Sequence, residues 1–321
     1  MRRFTKLFSF CAAALAIAPL YAQAQSSDPV VVVVPYAPGG ASDQITRLVA
    51  QAASGPLGRN IIVENKPGAG GIVAAQQVER AKPDGNTMLV GSNAPLVINL
   101  GLYKKLSYDP LGFVPVVGLA KTPLVLLTPN DVKGESVKDF IDYAKSQKHP
   151  LSMGSAGNGN ITHLAGVNAA DKMGIEVMHV PFQGSAPSIV ALAGGNLEMM
   201  FDALPSSMPQ VKSGRLKAWA VLDDQRFPGL PDVPTMKEAG FDGTEASAWF
   251  GLVAPKGTPA EAVDAMNKAV NVALQDPKVV EALQGIGTQP MPGDAASFAA
   301  FVDAERKQWL PVVESTGIQA D

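Results

Sequence analysis

The run Val30-Val31-Val32-Val33-Val34-Pro35 constrains the fold of this chain more than any other stretch. Five consecutive β-branched residues disfavour a helix and offer no polar face, so they read as a strand buried on both sides. Such a strand needs helices above and below it, and the chain supplies them. A helical pattern spans about Asp43 to Ser54, and strand pattern returns over Asn60–Glu64. Helix then follows over Gly71–Ala81 and strand over Thr87–Gly91, with Asp84-Gly85 marking the turn between them. This βαβαβ order predicts a parallel sheet with helices on both faces.

The same grammar recurs downstream. Ser136-Val137-Lys138-Asp139 reads as a capping box that opens a helix running to about Gln147. Strands at Leu151–Gly154, Glu176–Pro181, Leu197–Asp202 and Leu216–Leu222 alternate with helices. Those helices are Ile161–Met173, one with Pro187 in its first turn that Gly194-Gly195 ends, and a short one running toward Ser213-Gly214. The C-terminal third reads as mostly helix. Thr258-Pro259-Ala260-Glu261 combines a capping box with proline at the first helical position, and Asp276-Pro277 and Asp294 open two more helices. Ala262, Met266, Ala269, Val270 and Ala273 recur at helical spacing and read as a core-packing stripe.

Two stretches read as crossovers, Val114 to Pro129 and Ala220 to Pro234. A chain that leaves one α/β unit, builds another and returns gives two lobes joined by two strands. The expected division is residues 25–123 with 225–321 as lobe 1 and 124–224 as lobe 2, in an α/β fold of two mostly parallel sheets. Ligand would lie between the lobes, at the carboxyl ends of the strands.

Three loops follow strands and place glycine, serine or asparagine just before a helix, with no Lys or Arg inside. They are Pro38-Gly39-Gly40-Ala41-Ser42-Asp43, Ser155-Ala156-Gly157-Asn158-Gly159-Asn160 and Phe182-Gln183-Gly184-Ser185-Ala186. A helix start carries orphan N–H donors and the positive end of the helix dipole. Three such starts converging on a cleft would bind a small carboxylate without a cation. Backbone donors would then matter more than side chains, so alanine at Gly40 or Gly157 should weaken binding more than alanine at Ser42 or Asn158. Tyr36 and Phe182 flank the loops and either stack on ligand or line the hinge. Asn93 completes the expected set. Asp43 reads as a helix cap or a ligand contact. Asp202 either caps the next helix or accepts from a ligand ammonium, hydroxyl or water.

Other chemistry is poorly supported. Gly68-Ala69-Gly70-Gly71 and Gly157-Asn158-Gly159 lack the third glycine of a dinucleotide loop, with Val73 and Thr162 in that place, and no Walker loop is present. His149, His163 and His179 lack metal-ligand spacing, so neither a metal nor a cofactor is expected. Ser155 and His163 could be imagined in a hydrolase triad, but there is no G-x-S-x-G elbow. Ser155 reads better as a hydroxyl donor on an anion loop, and no catalytic residue is expected. His163 either donates to ligand or bonds the backbone.

The N-terminus reads as an export signal at 1–24. Arg2, Arg3 and Lys6 precede the apolar run Leu7–Leu20, and Ala22-Gln23-Ala24 is an A-x-A cleavage site. The run is short of the ~20 residues that a membrane span needs. The only cysteine, Cys11, leaves with it, which excludes disulfides and thiol catalysis from the mature chain. The net charge of −3 becomes −6 without those three basic residues, a poor match to nucleic acid. Hydrophobic residues at 46% suffice for two cores, so no segment reads as disordered.

At these residues the chain resembles the Bug family, periplasmic solute receptors of tripartite tricarboxylate transporters. The stretches that carry the resemblance are Pro35–Asp43, Val63–Gly71, Pro83–Thr87, Gly154–Gly157 with His163–Gly166, Gly184–Pro187, Met200–Asp202 and Pro231–Thr235. The resemblance covers essentially all of the mature chain. It implies a two-lobed type II periplasmic binding protein fold and a carboxylate held by the first and middle glycine loops, largely through backbone amides and ordered water. It also implies a small-molecule carboxylate ligand and integral-membrane permease subunits as partners. Many relatives carry Phe at the position of Tyr36, and Tyr-Lys or Tyr-Arg at Phe182-Gln183. The reading is a periplasmic, non-enzymatic receptor, monomeric or weakly associated, that passes a small organic acid to a permease. The rivals are a sensory receptor that presents ligand to a membrane kinase, and a secreted hydrolase.

Overall fold

The computed structural model describes residues 28–316 and 318–320. The expected export segment, with Cys11 and the Ala22-Gln23-Ala24 site, lies outside them. The valine run forms β1 (Val30–Val34), and four of its five residues are buried. It is followed by α1 (Ala41–Leu57), β2 (Ile61–Asn65), α2 (Ile72–Glu79) and β3 (Thr87–Ser92). β1 pairs in parallel with β2 on one side and β3 on the other, as the βαβαβ order requires. A π-turn at Ala94–Ile98 runs into the short α3 (Asn99–Leu102).

The chain then extends as β4 (Val114–Pro129), a 16-residue strand that serves two sheets. Beyond it come α4 (Val137–Ser146), β5 (Leu151–Ser155), α5 (Ile161–Met173), β6 (Val177–Pro181) and α6 (Ser185–Ala193). β7 (Met199–Ala203), α7 (Leu204–Lys212) and β8 (Leu216–Val221) complete that unit. The C-terminal part comprises β9 (Ser247–Ala254), α8 (Ala260–Gln275), α9 (Pro277–Gly285), β10 (Gln289–Pro290) and α10 (Ala295–Thr316).

The strands run in the order β2-β1-β3-β9-β4-β7-β5-β6, with β8 and β10 also paired to β4. Each half keeps its parallel strands at the outside, β1 to β3 in one and β5 to β7 in the other. The antiparallel pairs all involve β4 or β9. β4 changes partner within two residues: Pro123 faces Ser247 of β9, and Leu124 faces Ala203 of β7. Leu124 N donates to Ala246 O, Leu222 N to Leu124 O and Ala246 N to Leu222 O, which ties the two crossing chains together. Period-two alternation divides β4 between cores. Val125 and Leu127 enter the cluster of Ile189, Leu192, Met200 and Met208, while Leu124 and Leu126 face the larger core.

Local signals explain most helix ends. Ser136 Oγ accepts from Asp139 N, and Asp139 Oδ2 accepts from Ser136 N at 3.0 Å, so the expected capping box exists. Met266, Ala269, Val270 and Ala273 of α8 are buried, as their spacing predicted. The capping box expected at Thr258 does not form. Thr258 Oγ1 donates to Pro255 O at 2.8 Å, and Pro259 stands just before the helix rather than at its first position. β9 is the other departure, a buried strand where the sequence suggested mainly helix.

Candidate functional site

Four helices aim their N-termini at one cavity between the two sheets. Gly40, Ala41 and Ser42 start α1; Asn160, Ile161 and Thr162 start α5; Ser185 starts α6; Ala203 immediately precedes α7. Tyr36, Ser92, Asn93, Ala156, Ala248 and Phe250 complete the lining. Its volume is about 30 Å³. That exceeds the ~10–15 Å³ that one water needs. Among the described residues no Lys, Arg, Asp or Glu lines it. The helix starts supply donors and partial positive charge, and the low-polarity walls strengthen both.

Ser42 carries the most direct sign of a missing partner. It is 4% exposed, and its hydroxyl has no hydrogen-bond partner among the described residues. The Tyr36 hydroxyl meets Ser92 Oγ at 3.0 Å, and burial pushes its pKa up to about 12, so it stays a neutral donor. Asn160 Oδ1 accepts from Thr162 N and caps α5. Gly184 needs its freedom: at φ +136° a Cβ would lie 3.0 Å from Ala37 N, across the cleft. Ala37 N donates to Gln183 O at 2.8 Å, a direct backbone bond between the two halves. Gly39 at φ +86° packs near Ala186 in the same seam.

Several expected contacts are spent elsewhere. Asp43 Oδ2 accepts from Gly39 N, and Oδ1 accepts from Arg47 Nε and Asn65 Nδ2. Burial pushes this carboxyl up, but those partners outweigh it and hold the carboxyl below its usual range. The group fixes the loop and does not line the cavity. Asn93 lines the cavity, yet its amide bonds Ser247 O, Glu305 Oε2 and Trp249 N. Asp202 lies beneath the floor, fully buried, accepting from Ser185 Oγ and Ser206 Oγ. Burial raises its pKa to about 6. It thus couples the starts of α6 and α7; its side chain does not cap α7.

Ser155 and His163 lie behind the middle loop and do not line the cavity. Ser155 Oγ meets His179 Nε2 at 2.6 Å, not His163 as the sequence allowed. His163 Nδ1 accepts from Gly159 N, and the two imidazoles stack at 3.5 Å. Burial pushes His163 down to about 3, helped by His179, and His179 down to about 4. Ser155 is fully buried and also bonds Gly157, so the pair braces the loop. Among the described residues no carboxylate hydrogen-bonds either ring, and no group of three metal-ligating side chains forms.

Gly157, Asn158, Phe182 and Gln183 line a second, wider chamber of about 510 Å³. Tyr36 and Ala156 form a wall common to both spaces. Eight lining residues of the inner cavity stand outside the expected set: Ser92, Ala156, Asn160, Ile161, Thr162, Ala203, Ala248 and Phe250. Ala156 and Asn160 belong to a loop that the sequence singled out, while Ala248 and Phe250 come from the unexpected strand β9.

Known proteins resemble this chain in sequence and in fold. Residues 45–318 match the model of the tripartite tricarboxylate transporter family receptor. The chain is 33% identical over 310 residues to protein BugT of Bordetella pertussis, covering 96% of this chain and 95% of that one. Among solved structures, Rpa4515 of Rhodopseudomonas palustris with adipate is 33% identical, with a TM-score of 0.88 over 92% of this chain and 99% of the other. MatC from the same organism, with bound malate, is also 33% identical, with a TM-score of 0.85 over 90% and 99%.

Proposed function

Because the chain belongs to the tripartite tricarboxylate transporter receptor family, we propose that it captures a small organic acid between its lobes and delivers it, unchanged, to the membrane subunits of such a transporter. The observation that carries this reading is the unpartnered Ser42 hydroxyl in a cation-free cavity where four helix N-termini meet. A carboxylate satisfies all of these at once. The solved relatives that hold adipate and malate support the same ligand class.

On this reading the carboxylate accepts from Ser42, from the first-turn amides of α1 and α6, and from Ile161 N of α5, whose next three amides bond Asn160. Tyr36, Gly40, Ala41 and Ser185 shape the inner space. Gly39, Gly184 and Ala186 let the lobes meet over it. Gly157, Asn158, Phe182 and Gln183 hold the outer part of the ligand. Asp43, Asn93, Ser155, His163 and Asp202 keep the loops in place. The lobes divide as residues 25–123 with 225–321, and 124–224. The protein works as a monomer in the periplasm after losing residues 1–24.

A thermal-shift screen tests the proposal. A carboxylic acid present at 100 times its dissociation constant should stabilise the protein by about 2.7 kcal/mol, and its neutral amide should not. Equal stabilisation by acid and amide refutes the carboxylate assignment.

A further inference from the structure

The outer chamber specifies what the far end of the ligand is. Among the described residues none of its lining groups carries a charge at neutral pH. Three lining residues are aromatic, Tyr36, Tyr103 and Phe182, and three carry side-chain amides, Asn158, Gln183 and Gln319. Its floor is bare backbone. Gly68, Ala69, Gly70 and Gly71 all have positive φ, at 146°, 44°, 61° and 91°. Such a turn is tolerable mainly because three of the four residues are glycine. A Cβ on Gly70 would lie 2.8 Å from Asn158 O, so backbone approaches backbone with nothing between.

We propose that the ligand is a monocarboxylate whose tail is an uncharged ring bearing a hydrogen-bonding substituent, and not a dicarboxylate. This rests on the reading of the inner cavity as the carboxylate site. A carboxylate anchored beside Ser42 would put its tail past Tyr36 and Ala156, the two residues that line both spaces, and into the chamber. An aromatic ring there has Phe182 and Tyr103 to pack on, and the amides can meet a hydroxyl or carbonyl on its rim. A second carboxylate would find no cation among the described lining residues, and at the one helix start there, where Gly71 precedes α2, Gly71 N already donates to Gly68 O and Ile72 N to Ala69 O. The overall negative charge of the chain adds to that cost. Discrimination of this kind comes from leaving the wrong group unpaired.

Titration calorimetry on the full mature chain tests this with two series. One contains benzoate, phenylacetate and para-hydroxyphenylacetate; the other contains succinate, malate and adipate. Para-hydroxyphenylacetate should bind at least tenfold more tightly than adipate, which is of similar length. Phe182→Ala should weaken the ring series at least fivefold and leave the dicarboxylates little changed. Gln183→Arg, which keeps the Gln183 backbone bond to Ala37, should improve adipate binding at least tenfold. Tighter binding of a dicarboxylate by the unaltered chain overturns the inference and leaves the receptor reading standing. Para-hydroxyphenylacetamide binding as well as the acid overturns the receptor's carboxylate site and the inference with it. If neither series binds, both fall.

Discussion

Ser42 is where a single atom should report on function. Ser42→Ala removes one neutral donor, so ligand affinity should fall by about 0.5–1.5 kcal/mol, measured by calorimetry. The ligand-free protein should be no less stable in urea, because the buried hydroxyl has no partner to lose. A clear loss of ligand-free stability contradicts this role. The glycines beside it differ from one another. Gly157 has φ +133°, and a Cβ would sit 3.1 Å from Phe182 O, so Gly157→Ala should strain the loop and cost more than tenfold in affinity. Gly40 has φ −77°, and a Cβ would meet Ser185 at an ordinary 3.7 Å. Gly40→Ala should therefore bind nearly normally, contrary to what its place in the loop suggests; calorimetry on the pair separates the two. The buried histidines set a pH dependence. Both imidazoles stay neutral in the folded state, at about 3 and about 4, and take up protons on unfolding below their ordinary 6.5. Their contribution to stability is whole above pH 6.5 and is lost as pH falls. Asp202, raised to about 6 from 3.8, acts oppositely: it favours folding at low pH, and that contribution is lost as pH rises through 6. Glu305, also raised by burial, acts in the same sense as Asp202, so between pH 6 and 4 stability should fall by less than about 1.4 kcal/mol per pH unit. Urea midpoints measured across that range check the sign, and His179→Gln should flatten the slope.

At the scale of elements, caps separate stability from binding. Ser136→Ala breaks a capping box remote from the cleft and should cost about 1 kcal/mol of stability with unchanged affinity. Asn160→Ala removes the cap of a helix whose first turn lines the cavity, and should cost both. Denaturant melts combined with calorimetry distinguish the two; an affinity loss in Ser136→Ala would undo the separation. The same caps explain what the sequence revealed. α5 is legible at both ends because Asn160 caps its start and Gly174, at φ +63°, ends it. β4 is legible as a crossover because it is long, apolar and punctuated by proline. β9 is not, since Ser247–Ala254 is a short apolar run whose strand character comes from pairing with β3 and β4, far away in sequence. Ala248 and Phe250 were hidden with it. The partner of Ser155 was hidden for a similar reason. The parallel register of β5 with β6 brings Ser155 opposite Pro181 and carries His179 alongside, and no local residue pattern encodes that register. The glycine loops are readable because tight turns into helix starts need residue types that are conspicuous in any sequence.

At the scale of the whole molecule, two strand crossings and an interlobe backbone bond describe lobes in contact. Small-angle scattering should show compaction when a tight ligand is added, since only Thr122–Leu124 and the Leu222–Ala246 region need to flex. Gly70→Ala places a methyl group against Asn158 O without touching the inner cavity, so it should reduce that compaction. Full compaction in this variant would show that the lobes meet by another route. The insertion of β9 between β3 and β4 also has a bearing on how the chain comes into being. Strands β5 to β8 and the far half of β4 lie within one continuous stretch, ending at Val221. The other sheet holds β1, β2 and β3 early but lacks its middle strand until Ala254 has left the ribosome or crossed the membrane. Until then two strand edges stand open and the apolar valines have only part of their cover. A chain emerging from its N-terminal end therefore finishes its second sheet before its first, and the oldest residues are the last to be sealed.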